Sequence, residues 1–241
     1  MTISRNERLQ RTSLLLSPQQ MERLQNAHVL LLGLGGVGSF AAEALCRAGI
    51  GTMTIVDNDT VAASNINRQL PALSSTVGLM KTQVMGERLR DIAPDMRLIG
   101  INAFYLPESP VEIPEDCDVV VDAIDTVSAK IDLAVRCQER GIPLVSCMGM
   151  GNRLDPTRIR IGDLFETTGC PLCRVMRREL RKRGVTRLRC VYSLETALTP
   201  KNTAHAETKA TGRVAPGSVS YVPSVAGLYL AYTAVNLLLE K

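Results

Sequence analysis

The fold is decided between residues 29 and 81, where the chain reads VLLLGLGGVGS (29–39), MTIVDND (53–59), TVAASNINRQL (60–70) and VGLMK (77–81). Residues 29–32 are an apolar run of strand length. Gly33, Gly35, Gly36 and Gly38 follow at once. SFAAEALCRAGI (39–50) then predicts a helix, with Phe40, Ala44 and Leu45 on one face and Gly49 at its C-terminal end. A second strand, 53–56, ends at Asp57. This is a βαβ unit with a glycine-rich first turn. Gly33 permits the tight turn, Gly35 and Gly36 let the backbone approach a phosphate, and Gly38 lets helix and strand pack closely. Amides and the positive end of the helix then attract an anion. Asp57, at the strand tip, can bond a ribose hydroxyl.

A glycine loop followed by an acid suits a nicotinamide dehydrogenase equally well. Asn65, Arg68, Gln69 and Lys81 separate the two readings. Hydride transfer has no need of an arginine and a lysine at this place. Adenylation does, because negative charge builds on an α-phosphate and on leaving pyrophosphate. Lys81 alone reads as a surface lysine. The four residues in this order, behind a glycine loop, read as an adenylating site.

The patterns GxGGVGS, DxDxVxxSNxNRQ and VGLMK resemble the ATP-binding core of the ThiF/MoeB/HesA superfamily, the ubiquitin-activating-enzyme-like adenylyltransferases. The likeness spans roughly the first 150 residues, one domain's worth. It implies an ATP site built from Gly33, Gly35, Gly36, Gly38, Asp57, Asp59, Asn65, Arg68, Gln69, Lys81 and Asp125.

The 241 residues are 45% apolar and 22% charged, which suits one α/β domain with a small appendage. Aromatics make up 3% and tryptophan is absent, so the core is aliphatic. A net charge of +4 is mild, and an anionic partner has to be argued from local clusters. The polar N-terminal stretch reads as neither signal nor transit peptide. Seven cysteines, an odd number scattered through strands and helices, read as reduced thiols of a cytoplasmic enzyme. SVAGLYLAYTAVNLLL (224–239) comes nearest to a membrane span but is short and carries Tyr229, Tyr232 and Asn236, so a buried helix is expected and no membrane partner.

Along the chain, residues 1–26 read as a polar arm and a helix, with Ser17 at its N-cap and Pro18 behind it. Residues 79–92 predict an amphipathic helix stopped by Pro94, and 96–101 a strand. Residues 104–116 hold three prolines and several acids, and read as a loop or short helix. The valine-rich run 118–124 is a buried parallel strand. Asp122 lies inside it or at its end, and Asp125 just past it. Ligands of open α/β sheets sit outside the carboxyl ends of strands. Asp125 is therefore placed to hold a Mg²⁺ bridging ATP phosphates, or to cap the helix predicted at 126–140; the resemblance favours the metal. Residues 143–147 and 157–161 read as further strands.

In the second half, CPLCRVMRRELRKR (170–183) predicts a helix whose apolar stripe is Leu172, Val175, Met176 and Leu180. Arg174, Arg177, Arg178, Arg181, Lys182 and Arg183 surround the stripe, Gly184 ends the helix, and Arg187 and Arg189 are expected on the next strand. Eight cations face one acid, Glu179, over residues 174–189. That excess exceeds an ordinary solvated face and suits a nucleic-acid backbone. Without interleaved aromatics, stacking on single-stranded bases is not indicated. Cys170 and Cys173 form a CxxC. Superfamily members that activate sulfur carriers use two such pairs for Zn²⁺; the second is missing here and Cys190 stands alone, so the pair reads as thiols rather than as a tetrahedral metal site. A helix start and nearby arginines lower thiol pKa, which leaves a redox role open. Residues 199–217 read as a polar mobile loop with no cysteine, against a thioester mechanism, and its His205 as an exposed side chain. Residues 218–221 alternate as a strand.

RTxLL (11–15), RVMRRELRKRGV (174–185), VYSLE (191–195) and SVSYVPSVAG (218–227) together resemble the tRNA threonylcarbamoyladenosine dehydratase branch of the superfamily. The resemblance implies a Rossmann-like α/β fold: a mainly parallel sheet with helices on both faces, extended by C-terminal strands and a closing helix. It implies one ThiF-type domain over 1–241, with an N-terminal arm and helix (1–26), an ATP-binding core (27–150) and a substrate-side extension (151–241). It further implies ATP and Mg²⁺, a modified tRNA as substrate, catalysis by Arg68, Lys81 and Arg11, and a homodimer in which Arg11 reaches the partner's nucleotide. Read by itself, Arg11 is equally a surface arginine. A partner from a cysteine-desulfurase system also rests on the resemblance alone. The alternative activity is adenylation of a ubiquitin-like sulfur carrier.

Overall fold

The computed structural model describes residues 3–168, 170–201 and 215–240. His205 and most of the loop predicted at 199–217 lie outside the described residues. The first βαβ unit is β1 (His28–Leu32), α3 (Gly38–Ala48) and β2 (Thr52–Val56). Two short helices precede it, α1 (Arg5–Arg8) and α2 (Pro18–Asn26). Ser4 and Ser17 start them with reciprocal capping boxes to Glu7 and Gln20, as expected at Ser17. After β2 come α4 (Lys81–Ile92), β3 (Arg97–Ile101), β4 (Val119–Asp122), α5 (Val127–Glu139) and β5 (Leu144–Cys147). The second half adds β6 (Ile159–Asp163), α6 (Pro171–Arg181), β7 (Arg189–Ser193) and α7 (Tyr221–Leu239).

The seven strands among the described residues form one sheet in the order β3-β2-β1-β4-β5-β7-β6. Every neighbouring pair is parallel except the edge pair β6–β7. The chain leaves β1 in one direction along the sheet and resumes at β4 in the other. The switch point therefore lies between β1 and β4, where α/β sheets open a crevice at the strands' carboxyl ends. Alternate side chains of the central strands feed two separate cores. Val29, Leu31, Val119 and Val121 join the layer under α3, α4 and α7. Leu30, Leu32 and Val120 join the layer under α5 and α6. Burial on both faces is why these strands read as continuous apolar runs. Residues 104–116 form a loop, and Tyr105, Val111 and Ile113 seal the second core with it.

Three local expectations are corrected. Residues 218–220 form no strand, and Tyr221 already begins α7. Arg187 precedes β7, which begins at Arg189. The buried stripe of α6 is Cys173, Met176 and Leu180, with Leu172 and Val175 only partly covered. A cysteine at the right helical phase is an apolar residue like any other.

α7 is long and apolar enough to cross a membrane by length and composition, yet about half of it is buried inside the protein. It packs on α3, β4 and β5. Gly227 makes the closest approach: a Cβ there would stand 2.3 Å from the Val37 carbonyl oxygen and 3.0 Å from the Phe40 Cβ. Gly227→Ala should therefore lower stability by about 1–3 kcal/mol, the usual cost of overpacking. Urea unfolding followed by circular dichroism measures it, and an unchanged midpoint would contradict this packing.

Candidate functional site

The crevice between β1 and β4 is walled by backbone. Gly33 adopts φ +92, and a Cβ on it would lie 2.8 Å from the Ala123 carbonyl oxygen. A Cβ on Gly38 would lie 1.7 Å from the Gly33 carbonyl oxygen, so the start of α3 rests directly on the end of β1. Gly35 differs. Among the described residues, a Cβ there would meet only the Gln69 amide nitrogen, at 3.9 Å. The described residues leave space beside Gly35, at the N-terminus of a helix that none of their side chains caps. That space and that dipole suit a phosphate. A second sign is the Oε1 of Gln69, which is buried without a hydrogen-bond partner among the described residues. Such an oxygen is costly unless a ligand supplies the donor.

The predicted acids and cations line the same crevice. Asp57 follows β2 and accepts the Leu34 N–H at 2.6 Å and the Asp59 N–H at 2.8 Å. Burial raises its pKa, against the pull of Lys81 and those two amides. Each carboxylate oxygen keeps a lone pair beyond these bonds. Lys81 opens α4 and is 4% exposed, with its ammonium 2.7 Å from Asp59 Oδ2. It is not the surface lysine that its type alone suggests. Asn65 folds the turn that carries the rest: its side chain accepts the Ala62 N–H at 3.2 Å, and its carbonyl accepts the N–H groups of Arg68 and Gln69. Arg68 donates to the Ser64 carbonyl and the Asn67 side chain, both at 2.8 Å, and lies against Gly36. Asn67 ties this turn to the chain before α7 by donating to the Ser218 carbonyl at 3.0 Å.

Asp125 stands exposed just past β4, two residues from the Ala123 carbonyl that touches Gly33. The N-cap of α5 is Thr126 and not Asp125, which corrects the capping alternative. Among the described residues no cluster of three or more metal-binding side chains exists. A single carboxylate fits Mg²⁺, which takes one or two carboxylates and fills its shell from phosphates and water.

Sequence reasoning missed the floor of the crevice. Lys130, one turn into α5, is 1% exposed. Its ammonium sits 3.0 and 2.9 Å from the two Asp122 oxygens and 2.7 Å from the Cys147 carbonyl oxygen. Ser146 also donates to Asp122, and Asp122 accepts the Ile124 N–H at 3.1 Å. The ion pair thus fixes the turn that ends in Asp125. An acid and a lysine eight positions apart form no helix-face pattern, so only the fold reveals them.

Arg11 is exposed and makes no side-chain hydrogen bond or ion pair among the described residues. Beside it Leu14 and Leu15 are 76% and 86% exposed. On α6, Glu179 gathers Arg178, Lys182 and Arg183, whose hydrogen bonds pull its pKa down to about 2. Arg177 donates to the Thr167 carbonyl at 2.8 Å, and Arg181 lies 5.4 Å over the Phe165 ring. Arg174 is exposed. A cavity of about 410 Å³ lies at the opposite end of the sheet, between α2, Asp118 and Leu238, away from this chemistry.

The ThiF family pattern matches residues 7–241. The tRNA threonylcarbamoyladenosine dehydratase of Bacillus subtilis (strain 168) is 40% identical over 238 residues, covering 95% of this chain and 94% of that one. The E. coli tRNA N6-threonylcarbamoyladenosine dehydratase solved with AMP superposes with a TM-score of 0.89 at 33% identity, covering 100% of this chain and 98% of that one. The same E. coli enzyme solved with ATP gives 0.86 at 32% identity, with the same coverage.

Removing one partner of a buried ion pair costs about 3–5 kcal/mol, while replacing both is close to neutral. Lys130→Met should therefore destabilise by that amount in urea unfolding, and Asp122→Leu in the same chain should recover most of it. Additive losses from the two substitutions would contradict the pairing.

Proposed function

This chain belongs to the ThiF family, and on that premise we propose that it is an ATP-dependent tRNA threonylcarbamoyladenosine dehydratase, which adenylates the free carboxylate on the modified adenosine and closes it to a ring. The observation that carries this reading is likeness to dehydratases along 95% of the chain, the second half included, and not over the ATP-binding core alone. The single CxxC supports it against a sulfur-carrier adenylyltransferase.

ATP lies with its phosphates beside Gly35 and Gly36, its ribose at Asp57, and its remaining polar groups within reach of Gln69, Asp59 and Asn65. Gly33 and Gly38 shape the cradle without touching it. Mg²⁺ at Asp125 supplies charge neutralisation to the phosphates when bound. The substrate carboxylate oxygen attacks the α-phosphorus, and the bond to pyrophosphate breaks. Arg68 and Lys81 face the charge that develops, and Asp59 fixes where the Lys81 ammonium stands. A neighbouring group of the same modified side chain then attacks the activated carbonyl, AMP leaves, and the ring is formed. The oxygen lost from the carboxylate departs on AMP, so the net change is dehydration. Ring closure within one molecule needs no protein nucleophile, because proximity supplies the rate. The reaction needs no sulfur, so a cysteine-desulfurase-system partner has no step in it.

The tRNA backbone lies along α6, on Arg174, Arg177, Arg178, Arg181, Lys182 and Arg183. The active form is a homodimer in which Arg11 completes the partner's site. Exposed Leu14 and Leu15 beside Arg11, and the exposed stripe Tyr221, Leu228, Tyr229 and Tyr232 on α7, support such an interface. The enzyme works in the cytoplasm, the compartment that suits a chain whose cysteines are all free. Residues 27–150 serve the nucleotide, and 151–241 the tRNA.

The test is ATP cleavage with tRNA that carries or lacks the threonylcarbamoyl group. AMP and pyrophosphate should form only with the modified tRNA, and ¹⁸O placed in its carboxylate should appear in AMP. Pyrophosphate exchange with a ubiquitin-like carrier, and none with tRNA, would overturn the reading. Lys81→Ala and Arg68→Ala should each lower kcat by roughly 10²- to 10³-fold. Arg174→Glu and Arg181→Glu should weaken tRNA binding at any sequence and flatten its salt dependence, read by filter binding across a salt series.

A further inference from the structure

The seven cysteines are all free and buried, but their surroundings differ. Burial raises the thiols of Cys46 and Cys117 to about 11, and those of Cys137, Cys147 and Cys190 to about 12. Cys170 departs from this pattern. It is the N-cap residue of α6, followed by Pro171 at the first helical position, and Cys173 closes the first turn three residues on. Residues three apart in a helix start share one face. The Cys173 thiol leans on Cys170, and the amides of the first turn and a guanidinium add to it; together they outweigh burial and hold Cys170 below the ordinary thiol value. Cys173 is pushed the other way, by Cys170 and by burial, and keeps its proton.

The guanidinium belongs to Arg153, from the turn between β5 and β6. Arg153 is 4% exposed, and its Nη2 stands 4.0 Å from Cys170 Sγ. Its other nitrogens donate to the carbonyls of Glu195 at 3.3 Å, Gly151 at 3.1 Å and Gly149 at 2.5 Å. A buried cation clamped by three carbonyls has its remaining edge turned to one sulfur. Proline within a CxxC at a helix start, a cation on the first sulfur and a protonated second thiol are the elements of a thiol-disulfide couple. No step of the adenylation chemistry uses them.

We propose that Cys170 and Cys173 are a redox-active dithiol, with Cys170 the sulfur oxidised by a hydroperoxide and Cys173 the thiol that resolves it. The Cys170 thiolate attacks the hydroxyl-bearing peroxide oxygen, the O–O bond breaks, and hydroxide or an alkoxide leaves with the electron pair and takes a proton from solvent. This oxidises Cys170 by two electrons to the sulfenic acid and reduces the peroxide. The Cys173 sulfur then attacks Cys170, its proton leaves with the hydroxyl as water, and an S–S bond spans the first turn of α6. A dithiol reductant reverses the change. Cys147 and Cys190 lie near enough to influence the pair electrostatically, but Cys173, one helical turn from Cys170, is the thiol that resolves it.

The test uses the full chain in its native state with hydrogen peroxide, followed by alkylation, tryptic digestion and mass spectrometry. The peptide of residues 161–174 contains both sulfurs and should lose two hydrogens, with recovery in dithiothreitol. In Cys173→Ser the reaction should stop at a sulfenic acid on Cys170, trapped by dimedone. Arg153→Met should slow oxidation of Cys170 several-fold. The proposal fails if the native peptide stays a dithiol at peroxide levels that oxidise the urea-unfolded chain. It fails equally if the disulfide formed joins Cys170 to Cys147 or Cys190.

Discussion

No side chain can stand at Gly38. The start of α3 lies on the end of β1, with the Gly33 carbonyl oxygen where a Cβ would be. The same closeness recurs on either side. Gly33 meets the backbone of Ala123 after β4, and Gly227 of α7 meets the backbone of Val37 at the head of α3. Three contacts that only glycine permits therefore hold one short loop between a neighbouring strand and a crossing helix. The loop is rigid for that reason, and the open space beside Gly35 is an opening in packed surroundings. A binding cradle needs both properties, since a mobile loop would have to be ordered each time a ligand arrived.

Two buried lysines border this cradle, and their partners give them different work. Lys81 pairs with Asp59, whose side chain is well exposed, so its charge lies at the mouth of the crevice. Lys130 pairs with Asp122, and neither meets solvent. Its charge is spent within the protein: it joins the end of β4 to the end of β5 and fixes the turn before α5. Buried pairs of this kind contribute little net stability and more to geometry. Here the geometry concerns the backbone on which Asp125 is carried.

The parts of this arrangement that the sequence makes legible are those written in local periodicity. The apolar run 29–32, the glycine spacing, the Ser17 cap and the amphipathic stretch before Pro94 each become the element expected of them. Alternation over only four residues, 218–221, misleads, because such a short pattern also fits the lead-in to a helix. The α6 stripe is displaced because Cys173, as half of a CxxC, reads as a reactive thiol while the helix buries it as an apolar side chain. Lys130 and Arg153 lie beyond sequence reasoning for another reason. Each is a charged residue in a segment that looks solvated, and each is buried by groups from other elements: Asp122 and Ser146 for one, Glu195 and Cys170 for the other. Their environments exist only once β4, β5 and β7 lie side by side.

The contact of α7 with the head of α3 also has a consequence for biosynthesis. α7 is made after every strand of the sheet, yet it lies against the first loop of the fold and shares a core with β1 and β4. A ribosome-bound chain that has completed β1 to β7 still exposes that apolar face, with no wall behind Val37. The nucleotide loop thus matures late, and the emerging polypeptide presents a chaperone substrate until α7 docks.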